Sequence, residues 1–166
     1  MTAVHKSPAA APASSEPPPH RPIPQAAVAL ARTFEGCKLT TYLDAGGVWT
    51  IGYGHTGIIA CPGATIAQKD ADDLLVHDLI VAGAAVERHV SPKVALTDNQ
   101  FAALVDFVFN LGEGRFESSE LLELLNRGDF AGAAGQFQRW CHQGGHILPG
   151  LQRRRNAELA LFETPV

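Results

Sequence analysis

Residues 34–57 read FEGCKLTTYLDAGGVWTIGYGHTG, and within them lie two carboxyls and a hydroxyl, Glu35, Asp44 and Thr50. Glu35 closes an apolar stripe of helical spacing, Ala27, Leu30, Ala31 and Phe34, and Gly36 follows as a helix stop. A helix C-terminus carries partial negative charge, which disfavours a second negative charge there. Burial beside Phe34 works in the same direction. Those are the surroundings of an acid that keeps its proton near neutral pH and delivers it to a leaving oxygen. Asp44 precedes Ala45-Gly46-Gly47, a turn of small residues where water and hydrogen bonds favour the charged form. Two carboxyls in opposed environments suit hydrolysis of a glycosidic bond.

Thr50 falls on the strand VWTIGYG that returns from this turn. Strand alternation sets Val48, Thr50 and Gly52 on one face and Trp49, Ile51 and Tyr53 on the other. The Thr50 hydroxyl can hold a water beside Asp44, although alone it is too weak a base to activate one. Each of the three residues also has an ordinary use. Glutamates at helix ends are usually solvated, aspartates before Gly-Gly form turns, and threonines favour strands. Spacing alone does not separate these readings.

The elements that must position these groups follow from pattern. Residues 1–24 are rich in Pro, Ala and Ser and read as a flexible tail, leaving 25–166 as one folded domain. After the ribbon the chain reads as helical. Thr65-Ile-Ala-Gln68 has the form of a capping box and opens a long segment ending before Pro92; Thr97-Asp-Asn-Gln100 repeats the device ahead of FAALVDFVFNLG. ESSELLELLNRG, DFAGAAGQFQRW and PGLQRRRNAELALF supply further helices, and HQGGHILPG between the last two carries no period. The expected class is α+β, a small ribbon lobe joined by a long helix to a helical lobe, with a ligand cleft between them.

Composition narrows the function. Lys6 and Arg21 against Glu16 give residues 1–24 a net +1, so with a formal charge of −4 for the whole chain the remainder carries −5. That is a poor footprint for nucleic-acid binding. No run is long and apolar enough for a membrane span, and MTAVHKSPAAAPASSEPPPHRPIPQ has no apolar core of a secretory signal. Cys37, Cys61 and Cys141 are read as free thiols, although one bridge plus a leftover thiol stays open; their spacing is not of the zinc type. The basic run Arg153, Arg154 and Arg155 reads first as a solvated helix face, with an anionic ligand site as the alternative; Arg153 and Arg154 are also read as reaching the cleft or pairing with Glu158 and other acids, outside the catalytic set.

Glu35, Asp44 and Thr50 at these intervals, followed by Ile51-Gly52-Tyr53-Gly54-His55-Thr56, resemble the phage-type lysozymes. These are the T4-like endolysins of glycoside hydrolase family 24, and the lambdoid branch in particular. LTDNQFAALVDFVFNLG, LLELLNRGDFAGAAGQFQRW and GGHILPGLQRRRNAE extend the likeness from about Gln25 to Phe162. The resemblance implies a lysozyme-like fold and cleavage of the β-1,4 bond between N-acetylmuramic acid and N-acetylglucosamine in peptidoglycan. It implies the triad Glu35, Asp44 and Thr50 as catalytic residues, inversion at the anomeric carbon, and no metal or organic cofactor. A monomer acting on glycan strands is expected, held in the host cytoplasm until a holin opens the membrane and then acting at the wall. A lytic transglycosylase, using one acid, and a silent wall-binding module are the rival readings.

Other positions are weighed beside these. His55 is read as structural, its ring bonded to a nearby carboxylate. Trp49 and Tyr53 are read as filling the small lobe, with sugar stacking as the alternative. Asn110 corresponds by motif to a cleft residue whose amide would bind an N-acetyl group or sugar hydroxyl; its other reading is a polar residue at a helix end. Trp140 is expected in the core. Ser119-Glu120-Leu121-Leu122 departs from the commoner Ser-Thr-Leu-Leu of relatives at a helix start, and the acidic net charge is unfavourable for steering toward an anionic wall.

Overall fold

The computed structural model describes residues 20–44 and 46–165. Helix α1 spans Gln25–Glu35 and leads into a three-stranded antiparallel sheet of β1 (Lys38–Leu43), β2 (Trp49–Gly52) and β3 (His55–Thr56), in that spatial order. The long α2 (Gln68–His89) leads to α3 (Asp98–Leu111), α4 (Glu113–Glu117), α5 (Glu120–Asn126) and α6 (Phe130–Gln136). A 3₁₀ turn at Phe137–Trp140, a hairpin of β4 (His142–Gln143) and β5 (His146–Ile147), and α7 (Pro149–Glu163) complete the chain. This is the α+β, ribbon-plus-helices arrangement expected from the sequence. Residues 1–19 of the composition-defined tail lie outside the described residues; His20 and Arg21 bond to Glu87 of α2, at 3.2 Å and 3.0 Å.

Register in the ribbon is set by the tight turn at Asp44, which pairs Leu43 with Trp49 and Tyr42 with Thr50. The shift between Lys38 and Tyr42 in this ladder marks a bulge, which bends β1 beside the turn. Gly52 adopts φ +64 and its Cβ position lies 3.5 Å from the Ala71 methyl, so the strand descends onto α2 where only a glycine fits without strain.

One cap falls elsewhere than the sequence suggests. Thr65 does not open α2. Residues 64–66 pair along β1, with Thr41 N–H donating to the Ala64 carbonyl at 3.0 Å and Ile66 N–H to that of Leu39 at 2.9 Å. Their backbone is therefore committed to the sheet, and the helix starts two residues later. There Asp70 Oδ2 accepts from the Ala67 N–H at 3.0 Å. Thr97 and Gln100 form the expected reciprocal pair, at 3.1 Å and 3.0 Å. Ser119 caps α5 by accepting from the Leu122 N–H at 3.1 Å, so the departure at Glu120 leaves the cap intact.

The core lies between α1, α2, α3 and α7, with Leu75, Leu79, Val86, Phe101, Leu104 and Phe107 fully enclosed. Phe107 sits at its centre, meeting Phe116, Phe137 and Trp140 edge-on at 6.4, 5.4 and 5.7 Å. Trp140 thus packs against the core as expected. Trp49 does not; it stands 36% exposed on the ribbon, whereas Thr50 and Ile51 beside it are buried.

Candidate active site

Glu35 is the last residue of α1, ended by Gly36 at φ +62. Its side chain is only 24% exposed. Oε1 accepts a hydrogen bond from Arg154 Nη1. Oε2 lies 3.8 Å from the position a Cβ would take on Gly54, which has φ +100. The ribbon backbone approaches this oxygen closely at a residue without a side chain.

Asp44 caps its own turn. Oδ1 accepts from the N–H groups of Gly46 and Val48, both at 2.8 Å. Oδ2 has no hydrogen-bond partner among the described residues, and the side chain is exposed. Thr50 is 3% exposed and its hydroxyl donates to the Val48 carbonyl at 3.0 Å, leaving the oxygen's lone pairs as acceptors. Tyr42 links the three. It pairs with Thr50 across the ribbon, and burial, then the charge of Glu35, then that of Asp44, pushes its phenol above the ordinary range. The Tyr42 ring also receives the Lys38 ammonium at 3.8 Å. Tyr42 was not singled out in the sequence; its place near the end of β1, two residues before Asp44, is the signal that points to it.

The basic run on α7 differs from its first reading. Arg153 is exposed, but Arg154 and Arg155 are buried. Arg154 Nε and Nη2 donate to the two oxygens of Asp106 in α3 at 2.8 and 2.9 Å, while Nη1 reaches Glu35. Burial works against the arginine's charge, but Asp106 and then Glu35 more than offset it and hold Arg154 above the usual guanidinium range. Arg155 Nη2 donates to Glu158 Oε1 at 2.6 Å and to Asn110 Oδ1 at 2.9 Å. The Asn110 carbonyl oxygen is thus engaged by Arg155, and its amide N–H groups stand as donors for a ligand. His55 Nδ1 meets Asp78 at 2.9 Å, the carboxylate partner expected of it, and the Tyr53 hydroxyl donates to Asp72 at 3.2 Å.

All three cysteines are unpaired. No group of three or more His, Cys, Asp or Glu side chains among the described residues is arranged to hold a metal ion. No helix among them is long and apolar enough to cross a membrane.

An acid at a helix end facing a small antiparallel ribbon, with helices packed behind it, is a lysozyme-like arrangement. The family model for phage lysozyme matches residues 32–158, and the chain belongs to that family. It is 43% identical over 144 residues to the endolysin of Bacillus phage PZA, covering 86% of this chain and 55% of that protein, so it spans about half the length of this relative. It is 39% identical over 146 residues to the endolysin of Acyrthosiphon pisum secondary endosymbiont phage 1, covering 86% of this chain and 98% of the other. Among solved structures, the muramidase domain of SpmX from Asticaccaulis excentricus aligns with a TM-score of 0.81 at 40% identity, covering 89% of this chain and 100% of that one.

Proposed function

We propose that this chain is a muramidase of the lambdoid, T4-like branch of glycoside hydrolase family 24, cutting the β-1,4 bond between N-acetylmuramic acid and N-acetylglucosamine during host lysis. The observation that carries this reading is Glu35 at the end of α1, its Oε1 held by Arg154 and its Oε2 facing Gly54 of the ribbon whose turn Asp44 caps through Oδ1. Glu35 protonates the glycosidic oxygen as the bond breaks. Asp44, with the Thr50 hydroxyl, holds and deprotonates a water on the opposite face of the sugar, which attacks the anomeric carbon of the oxocarbenium-like centre. Attack from that face inverts the configuration. The amide N–H groups of Asn110 are donors for an N-acetyl carbonyl or a sugar hydroxyl.

The names of the relatives support this reading: two are endolysins, and a third, at 40% identity over 127 residues, is the SAR-endolysin of Bacteriophage PS119. The protein acts as a monomer on glycan strands, waits in the host cytoplasm and reaches the wall once a holin has opened the membrane. Mass spectrometry of purified peptidoglycan after digestion tests the reaction. Muropeptides with new reducing ends are expected. Anhydromuramic ends would make the protein a lytic transglycosylase, and intact strands would make it a binding module.

A further inference from the structure

Asp106 is fully buried in the middle of α3, and the reaction proposed above does not touch it. A carboxylate in that position is costly unless it is paired and hydrogen-bonded. Its partner, Arg154, is itself only 4% exposed and meets it through two parallel bonds along the Nε–Nη2 edge. A guanidinium is planar, so fixing that edge fixes the direction of the remaining nitrogen, Nη1. Nη1 points at Glu35 Oε1. The rings of Phe34 and Phe109 stand 5.8 and 5.9 Å from the guanidinium carbon and limit other orientations.

This fork distinguishes the two oxygens of Glu35. An arginine N–H can only donate, so Oε1 is engaged as an acceptor and the proton of the neutral acid belongs on Oε2. Oε2 is the oxygen that faces the ribbon at Gly54. We propose that Asp106 is a positioning residue for Glu35, acting through Arg154, and that the fork assigns the transferable proton to Glu35 Oε2. The proposal rests on the reading of Glu35 as the general acid. Glu158, whose Oε1 lies 3.6 Å from Arg154 Nε, is the other acid facing this arginine, but it offers no second parallel bond and leaves the fork to Asp106.

The test is Asp106→Asn, which keeps one acceptor but sets an amide N–H₂ against the guanidinium. Circular dichroism and thermal melting establish that the variant is folded. On peptidoglycan fragments of defined length its kcat is expected to fall about tenfold or more while KM stays within about twofold, the signature of an interaction realised in the transition state. On an analogue whose aryl leaving group departs without protonation, the loss is expected to shrink to less than about threefold, because proton delivery is no longer needed. Unchanged kcat, or an equal loss on both substrates, would overturn the proposal. If the asparagine variant does not fold, Arg154→Lys keeps the charge while removing the fork. The same substrate-dependent loss is expected of it, and a wild-type kcat there would overturn the proposal equally. Glu35→Gln run alongside separates the two levels. Full activity in that variant removes the reading of Glu35 itself, whereas an inactive Glu35→Gln beside an unaffected Asp106→Asn removes only the positioning role.

Discussion

His55 of β3 reaches Asp78 of α2 with its Nδ1 2.9 Å from Oδ2, tying the last strand of the ribbon to the long helix. The two side chains are 15% and 24% exposed, so the bond is partly shielded from water. Asp78→Asn is expected to weaken it by about 1 kcal/mol, a melting temperature lower by about 2–4 °C for a chain of this size. Scanning calorimetry measures it. An unchanged melting temperature would mean the contact is solvated and holds nothing.

Asp44 uses one carboxylate oxygen for its turn, and the other has no hydrogen-bond partner among the described residues. Asp44→Asn preserves an acceptor for the Gly46 and Val48 N–H groups, removes the charge and turns the other oxygen into an N–H₂ donor that cannot take a proton from water. The expected outcome is a folded protein whose kcat falls by about a hundredfold or more. Thr50→Ser keeps the hydroxyl and should retain most activity, and Thr50→Val should not. Proton NMR of early product from the wild type is expected to show the α-anomer, as inversion requires. Initial β-anomer would move Asp44 from water activation to a nucleophile's role.

Glu158 is fully buried against Arg155 and near Asp106. Burial pushes its carboxyl well above the usual range, against the pull of Arg155. At a pH below the unfolded carboxylate's pKa of about 4.3, both states hold the proton. As pH rises, the unfolded chain releases it first, so this group's contribution to stability falls with rising pH and is lost as the folded pKa is passed. Glu158→Gln does not titrate. The melting temperature of the wild type minus that of the variant should therefore decline between about pH 4 and pH 7. A difference that grows over that range would show instead that Arg155 holds Glu158 as an anion.

Local signals made much of this fold legible. The periodic stripe ending at Gly36, the turn at Asp44 and the Thr97–Gln100 cap each act within a few residues and appear where the sequence puts them. What was missed depends on contacts across the chain. Thr65 carries a proper cap pattern, but pairing of residues 64–66 with β1 outcompetes it. The hairpin His142–Ile147 hid in a stretch read as a loop, although Gly144-Gly145 between short flanks is a turn signal. The pairing of Arg154 with acids was legible, Glu158 among them, but its part in an Asp106–Arg154–Glu35 chain was not, because that chain joins residues on three helices. Asp106, a charge inside an apolar helix, was the clue that a buried cation must meet it, and Glu158 four residues after Arg154 marked the inward face of α7.

The central claim is that Glu35 delivers the proton. Glu35→Gln keeps the size and the oxygen that accepts from Arg154 but has no acidic proton to give. Steady-state cleavage of purified peptidoglycan by this variant, with its melting curve recorded beside the wild type's, measures the claim directly. The account predicts a folded protein with kcat lowered by about a hundredfold to ten-thousandfold. Cleavage at the wild-type rate by the folded variant would contradict it.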